Sequence, residues 1–146
     1  MATATRIEKD FLEVRTETRV RFSEVDSLRI AWHGHYLKYF EDAREAFGCE
    51  FGLTYAAIEQ AGYLAPMHAM QVEYLAPARA GDLLEVTARL RRLRAAKLEF
   101  DYEVRRMGEG KVLARGTSMQ VFLTHQWEMV LVQPKFLREF FRRHQP

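Results

Sequence analysis

Residues 20–48 read VRFSEVDSLRIAWHGHYLKYFEDAREAFG, and the change of period inside this stretch decides the fold. On its N-terminal side, Phe11 to Phe22 alternates apolar and polar residues. Leu12, Val14, Val20 and Phe22 share one face, the period-two pattern of a half-buried strand. From His35 the spacing becomes helical. Tyr36, Phe40, Ala43 and Phe47 fall on one side, and Lys38, Asp42 and Glu45 take the other. This predicts an amphipathic helix that starts just after Gly34 and stops at Gly48, glycine being suited to the left-handed conformation that often ends helices. Its aromatic stripe reads first as core, and Lys38, Glu41, Asp42 and Arg44 read first as a solvated face.

Outward from this stretch, a second helix is predicted over Thr54 to Ala61, with Thr54 as N-cap and Gly62 as stop. Strands follow over Met67 to Tyr74, Asp82 to Leu93, Lys97 to Arg106 and Lys111 to Thr124, with a short one over Met129 to Val132. The breaks at Pro77 to Gly81, Met107 to Gly110 and His125 to Glu128 are short, which favours antiparallel hairpins. A last helix opens at Pro134 and carries Phe136, Leu137, Phe140 and Phe141 on one face. The pattern predicts an α+β fold, with the long helix laid on one face of an antiparallel sheet.

The composition limits the function classes. The chain has 146 residues, a size that fits one domain over 1–146, with no internal repeat or linker. Its single cysteine, Cys49, cannot form an internal disulfide, and no Cys/His spacing suggests a zinc site. The reading is a reducing, cytoplasmic compartment, with no cofactor or metal. No apolar run approaches the ~20 residues that cross a bilayer, and the first residues carry no signal-peptide pattern. A net charge of +2 is too small for wholesale nucleic-acid binding. The positive charge concentrates instead at Arg89, Arg91, Arg92, Arg94 and Lys97.

Asp26 stands after a strand and a few residues before a helix N-terminus. On spacing alone it reads first as a turn or cap residue, and His33 as a hydrogen-bonding loop residue. The same placement has a chemical use. N–H groups at a helix start can polarise a carbonyl oxygen while a carboxylate attacks the carbonyl carbon or activates water.

The run from Arg21 to Arg44, with Asp26 and then WHGHYLKYFEDAR, resembles the 4-hydroxybenzoyl-CoA thioesterase-like branch of the hotdog-fold acyl-CoA thioesterases. Val72-Glu73-Tyr74-Leu75-Ala76-Pro77, followed by Gly81-Asp82, and the strand through Gly116-Thr117 to Leu123 extend the likeness along nearly the whole chain. The resemblance implies a long helix wrapped by an antiparallel β-sheet, and a homodimer or homotetramer with active sites at the subunit interface. It also implies hydrolysis of an acyl-CoA thioester to carboxylate and CoA.

Carried over by position, Asp26 becomes the catalytic carboxylate, as nucleophile or general base. His33, with Gly34 beside it, offers backbone N–H groups to the thioester carbonyl, and Trp32 and Tyr36 flank the acyl pocket. The resemblance places Arg91, Arg92, Arg94 and Lys97 where CoA phosphates bind, although a solvated hairpin fits the same residues. Two alternatives remain: a non-catalytic acyl-CoA-binding protein of the same fold, and an acyl-thioester hydratase or dehydratase. The family usually has glycine three residues after its Asp, whereas this chain has Arg29. The expectation is that residue 29 keeps an ordinary φ and its guanidinium points to solvent or to an acid such as Glu24.

Overall fold

A computed structural model describes residues 4–146. In chain order the elements are β1 (Ala4–Ile7), β2 (Phe11–Arg19), α1 (His35–Phe51), α2 (Tyr55–Gln60), β3 (Tyr63–Leu64), β4 (Met67–Tyr74), β5 (Leu83–Arg91), β6 (Lys97–Arg106), β7 (Val112–Val121), β8 (Leu123–Thr124) and α3 (Lys135–Arg143). Six strands form one sheet in the order β1-β2-β5-β6-β7-β4, and every neighbouring pair is antiparallel. β3 and β8 form a separate two-stranded ribbon.

The helical spacing acts as its residues require. Tyr36, Tyr39, Phe40, Ala43 and Phe47 are all buried on the sheet side of α1. Phe40 stacks on Tyr102 at 4.5 Å between ring centroids, and Phe47 meets Phe100 edge-on at 5.1 Å. Each such ring removes enough apolar surface from water to contribute about 1.5–3 kcal/mol. Leu12 and Val14 of β2, with Leu84, Val86, Ala88 and Leu90 of β5, supply the sheet side of this core. The helix therefore fixes its own N-terminus relative to the sheet.

The structure corrects several expectations. α1 continues past Gly48 to Phe51 and ends at Gly52, whose φ is +76°. Gly48 is instead buried within the helix, because the chain folds back over it: a Cβ there would lie 2.9 Å from the Leu53 carbonyl oxygen. β2 ends at Arg19, and a 3₁₀ turn over Phe22–Glu24 breaks the alternation. The Arg21 N–H donates to Glu24 Oε1 at 2.8 Å in that turn, which turns Phe22 outward to 87% exposure.

The strand expected through Thr124 divides after Val121, so that Leu123–Thr124 pairs with β3 outside the main sheet. Met129 to Val132 is not a strand. It makes one isolated bridge, Leu123 to Met129, and Leu131 and Val132 face outward. Thr54 does cap α2, accepting from the Ala57 N–H at 3.1 Å, and the last helix starts after Pro134 as expected. Among the described residues no helix is long and apolar enough to cross a membrane.

Candidate active site

The segment between β2 and α1 is a tight hairpin built on Asp26. Val25 and Ala31 form an antiparallel bridge. The Asp26 N–H donates to the Ile30 carbonyl at 3.0 Å, and the Arg29 N–H donates back to the Asp26 carbonyl at 2.9 Å. Asp26 Oδ1 accepts from the Leu28 N–H at 2.8 Å, so the residue does form the turn that its type favours. Among the described residues Oδ2 of this half-buried carboxylate makes no hydrogen bond.

The Arg29 backbone departs from expectation, whereas its side chain faces solvent as expected. Its φ is +63°, the left-handed conformation that glycine adopts without penalty, and the side chain is exposed. The hairpin closes only if residue 29 turns this way, so the backbone keeps a glycine-type conformation with an arginine in it. Among the described residues Arg29 makes no ion pair with Glu24. Glu24 accepts instead from the Tyr39 hydroxyl at 3.1 Å and from the Arg21 N–H.

From the hairpin the chain runs straight into α1. The Ala31 N–H bonds the Ala78 carbonyl at 2.7 Å, and the Trp32 N–H bonds the Glu24 carbonyl at 2.8 Å, which tie this entry to the sheet and to the turn before it. The His35 N–H donates to the Trp32 carbonyl and the Leu37 N–H to the Gly34 carbonyl. Among the described residues the His33 and Gly34 N–H groups have no acceptor. They stand at the positive end of a 17-residue helix, where unpaired donors attract developing negative charge.

A cleft of about 410 Å³ lies at the other end of α1, between that helix and α2, with Arg44, Cys49 and Leu53 in its wall. The cleft at the hairpin measures about 370 Å³, and Asp26, Leu28, Ile30, His33, Tyr36 and Tyr74 line it. It thus brings together the carboxylate, the residue with the unpaired N–H, and Tyr36. Burial pushes the Tyr36 and Tyr74 hydroxyls up from the ordinary tyrosine range, so both remain donors at neutral pH. Trp32 does not line the cleft. Its ring covers Gly34, where a Cβ would come within 2.2 Å of Trp32 Cζ3, and it meets His35 edge-on at 5.5 Å. Of the polar residues that line the cleft, Tyr74 is the one that sequence spacing does not mark. It lies 41 residues beyond His33 and is marked only by its place in the Val72–Pro77 motif.

The basic cluster is placed elsewhere. β5 starts at Leu83, beside the hairpin, and Arg91 lies eight residue steps along it, or about 26 Å at ~3.3 Å per residue. Arg91 makes paired contacts with Asp101 at 2.7 and 2.6 Å, and Lys97 meets Glu99 at 2.6 Å. Arg92 donates to the carbonyls of Glu8, Phe141 and His144, which ties the end of α3 to the sheet. Arg94 is exposed on the β5–β6 turn and, among the described residues, makes no ion pair. Nor do the described residues contain a group of three His, Cys, Asp or Glu side chains arranged to hold a metal ion.

Comparison with known proteins agrees with this architecture. Over 90 residues the chain is 27% identical to a putative acyl-CoA thioesterase, YneP, of Bacillus subtilis (strain 168), covering 62% of this chain and 65% of that protein. A hypothetical protein from Thermus thermophilus, TT1821, has a crystal structure that superposes with a TM-score of 0.76 at 30% identity, over 90% of this chain and 98% of that one. A 1,4-dihydroxy-2-naphthoyl-CoA thioesterase from Synechocystis superposes with a TM-score of 0.79 at 19% identity, over 92% of this chain and 99% of that one, which is a likeness of fold. The family model described as the thioesterase-like superfamily matches residues 20–141, from the last buried residue before the Asp26 turn to the end of the α3 core face, and the chain belongs to that superfamily.

Proposed function

We propose that the protein hydrolyses an acyl-CoA thioester to a free carboxylate and CoA. One observation carries this reading: Asp26, with one oxygen free, and His33, with its N–H unpaired among the described residues, line one cleft, and Gly34, whose N–H is likewise unpaired, follows at the start of a long helix. A thioester carbonyl placed between them has a base or nucleophile on one side and oxyanion donors on the other. Asp26 either attacks the carbonyl carbon, giving an acyl-enzyme that water then cleaves, or takes a proton from water as that water attacks. Both routes pass through an oxyanion that the N–H groups stabilise, and both expel CoA as the thiolate.

The cleft mouth also supports a second subunit across it. Phe22, Leu28, Trp32 and Leu75 are 87, 73, 46 and 43% exposed around the hairpin and its facing loop, an unusual amount of apolar surface to leave in water. Arg94, with the outward sides of Arg91 and Lys97, is proposed to meet the phosphates of CoA. Free-thiol release from a panel of aromatic and aliphatic acyl-CoAs tests the reading. Turnover of at least one member is expected. Binding without release from any member selects the non-catalytic alternative.

A further inference from the structure

Within the site just proposed, on which this step rests, the geometry points to Tyr74 as the positioning residue of the oxyanion site. Its hydroxyl donates to the His33 carbonyl oxygen at 2.7 Å and thereby holds and polarises the peptide unit that carries the Gly34 N–H. The carbonyl of His33 and the N–H of Gly34 belong to one planar trans unit, so pinning the oxygen fixes the direction of the N–H on the opposite side. A hydrogen bond accepted by that carbonyl also draws electron density from the nitrogen and makes the N–H a stronger donor.

The other side of residue 33 is held as well, since the Trp32 carbonyl accepts from the His35 N–H at 2.9 Å. Both peptide units flanking His33 are thus restrained, and both of the N–H groups they carry are left unpaired among the described residues. The phenol comes from a rigid element. Tyr74 pairs with Ala114 of β7, and the next two residues, Leu75 and Ala76, both donate to the Leu113 carbonyl at 2.9 and 3.1 Å. Its ring stands edge-on to Tyr36 at 5.2 Å and to His33 at 6.5 Å, which sets the direction of the hydroxyl. Half of Tyr74 is exposed, but a donor carried by a strand and flanked edge-on by two rings holds a loop amide more closely than the loop could hold itself.

Tyr74→Phe tests this, because it removes the hydroxyl and keeps the ring. The expected result is a fall in kcat of about 10-fold, equivalent to ~1.4 kcal/mol, with KM changed by less than about two-fold. The ¹⁵N–¹H resonance of Gly34 is expected to move in the variant without substrate, a change that a purely structural staple elsewhere would not produce. An unmoved Gly34 resonance overturns the proposal, as does a moved resonance with unchanged kcat, or a loss confined to KM or to Tm. If the wild-type protein turns over no acyl-CoA, the site reading itself fails and takes this role with it. If the wild type is active and Tyr74→Phe equals it, the role of Tyr74 alone fails.

Discussion

Asp26 forms a turn and keeps an oxygen free, and the two roles separate under substitution. Asparagine at position 26 can still accept the Leu28 N–H through its Oδ1, so the hairpin survives, but it can neither attack a carbonyl nor take a proton. Asp26→Asn is therefore expected to lower kcat by at least ~100-fold while Tm stays close to that of the wild type. His33→Ala keeps the backbone N–H and is expected to be milder. Equal severity in steady-state assays would show that the imidazole takes part in the chemistry. Arg29 shows where reading residues from resemblance stops short. The change from the family's glycine suggested an ordinary backbone, yet φ is +63° because the hairpin hydrogen bonds demand it. A non-glycine residue there costs roughly 1–2 kcal/mol, partly offset by the greater entropy that glycine loses on folding. Arg29→Gly is thus expected to raise Tm slightly or leave it unchanged, with kcat/KM within a few-fold; a lower Tm would show that the guanidinium stabilises the loop.

At the scale of elements, the parts legible in the sequence are those with one continuous environment. α1 buries one stripe along its length, and β4 and β6 match their expected bounds, with Pro66 just before β4 and Gly108 soon after β6. β1 has no sequence signal because all four of its residues are exposed and, among the described residues, it pairs with β2 alone, which leaves no alternation to read. The end of α1 is not legible in the sequence, because a glycine that admits a close backbone looks there like a glycine that stops a helix. Glu13 is hidden for a similar reason. It lies on the polar face of β2, yet Arg15 and Arg89 cover it to 1% exposure. Burial alone would raise its pKa, but hydrogen bonds from Arg89 and Arg15 outweigh burial and hold the carboxyl below the usual glutamate value. A depressed folded-state pKa gives stability that is present above the unfolded value, near 4.3, and is lost as pH falls through the folded one. Glu13→Gln is expected to lower Tm at pH 7, since hydrogen bonds to a charged group contribute about 1.5–3 kcal/mol each, and the difference from wild type is expected to shrink as pH falls below ~4. Thermal melts from pH 7 to pH 3 check both signs, and a difference independent of pH would remove the charge from the explanation.

Across the whole molecule, the sheet sets the candidate site and the basic hairpin at opposite ends of β5. Resemblance assigns roles by position along the chain, whereas the distance between two roles depends on strand direction and on which copy of the chain supplies each. The four cations also differ in how firmly they are already engaged, which makes their roles separable. Arg92 donates to carbonyls at both ends of the chain, in the Glu8 turn and at the end of α3, so Arg92→Ala is expected to lower Tm and leave KM for acyl-CoA within about two-fold. Arg94 has no such partner, and Arg91 and Lys97 can release or share theirs only in exchange for another anion. If this hairpin meets the phosphates of CoA, Arg94→Ala raises KM, and KM of the wild type rises as salt shortens the Debye length from ~10 Å at 0.1 M to ~3 Å at 1 M. Within one chain the ~26 Å along β5 separates such a contact from Asp26. A salt-dependent KM that is also sensitive to Arg94, together with a specific activity that falls when the protein is diluted, would mean that one subunit's hairpin serves the other's cleft. A salt-independent KM would leave the hairpin as a solvated turn and confine substrate recognition to the cleft around Asp26.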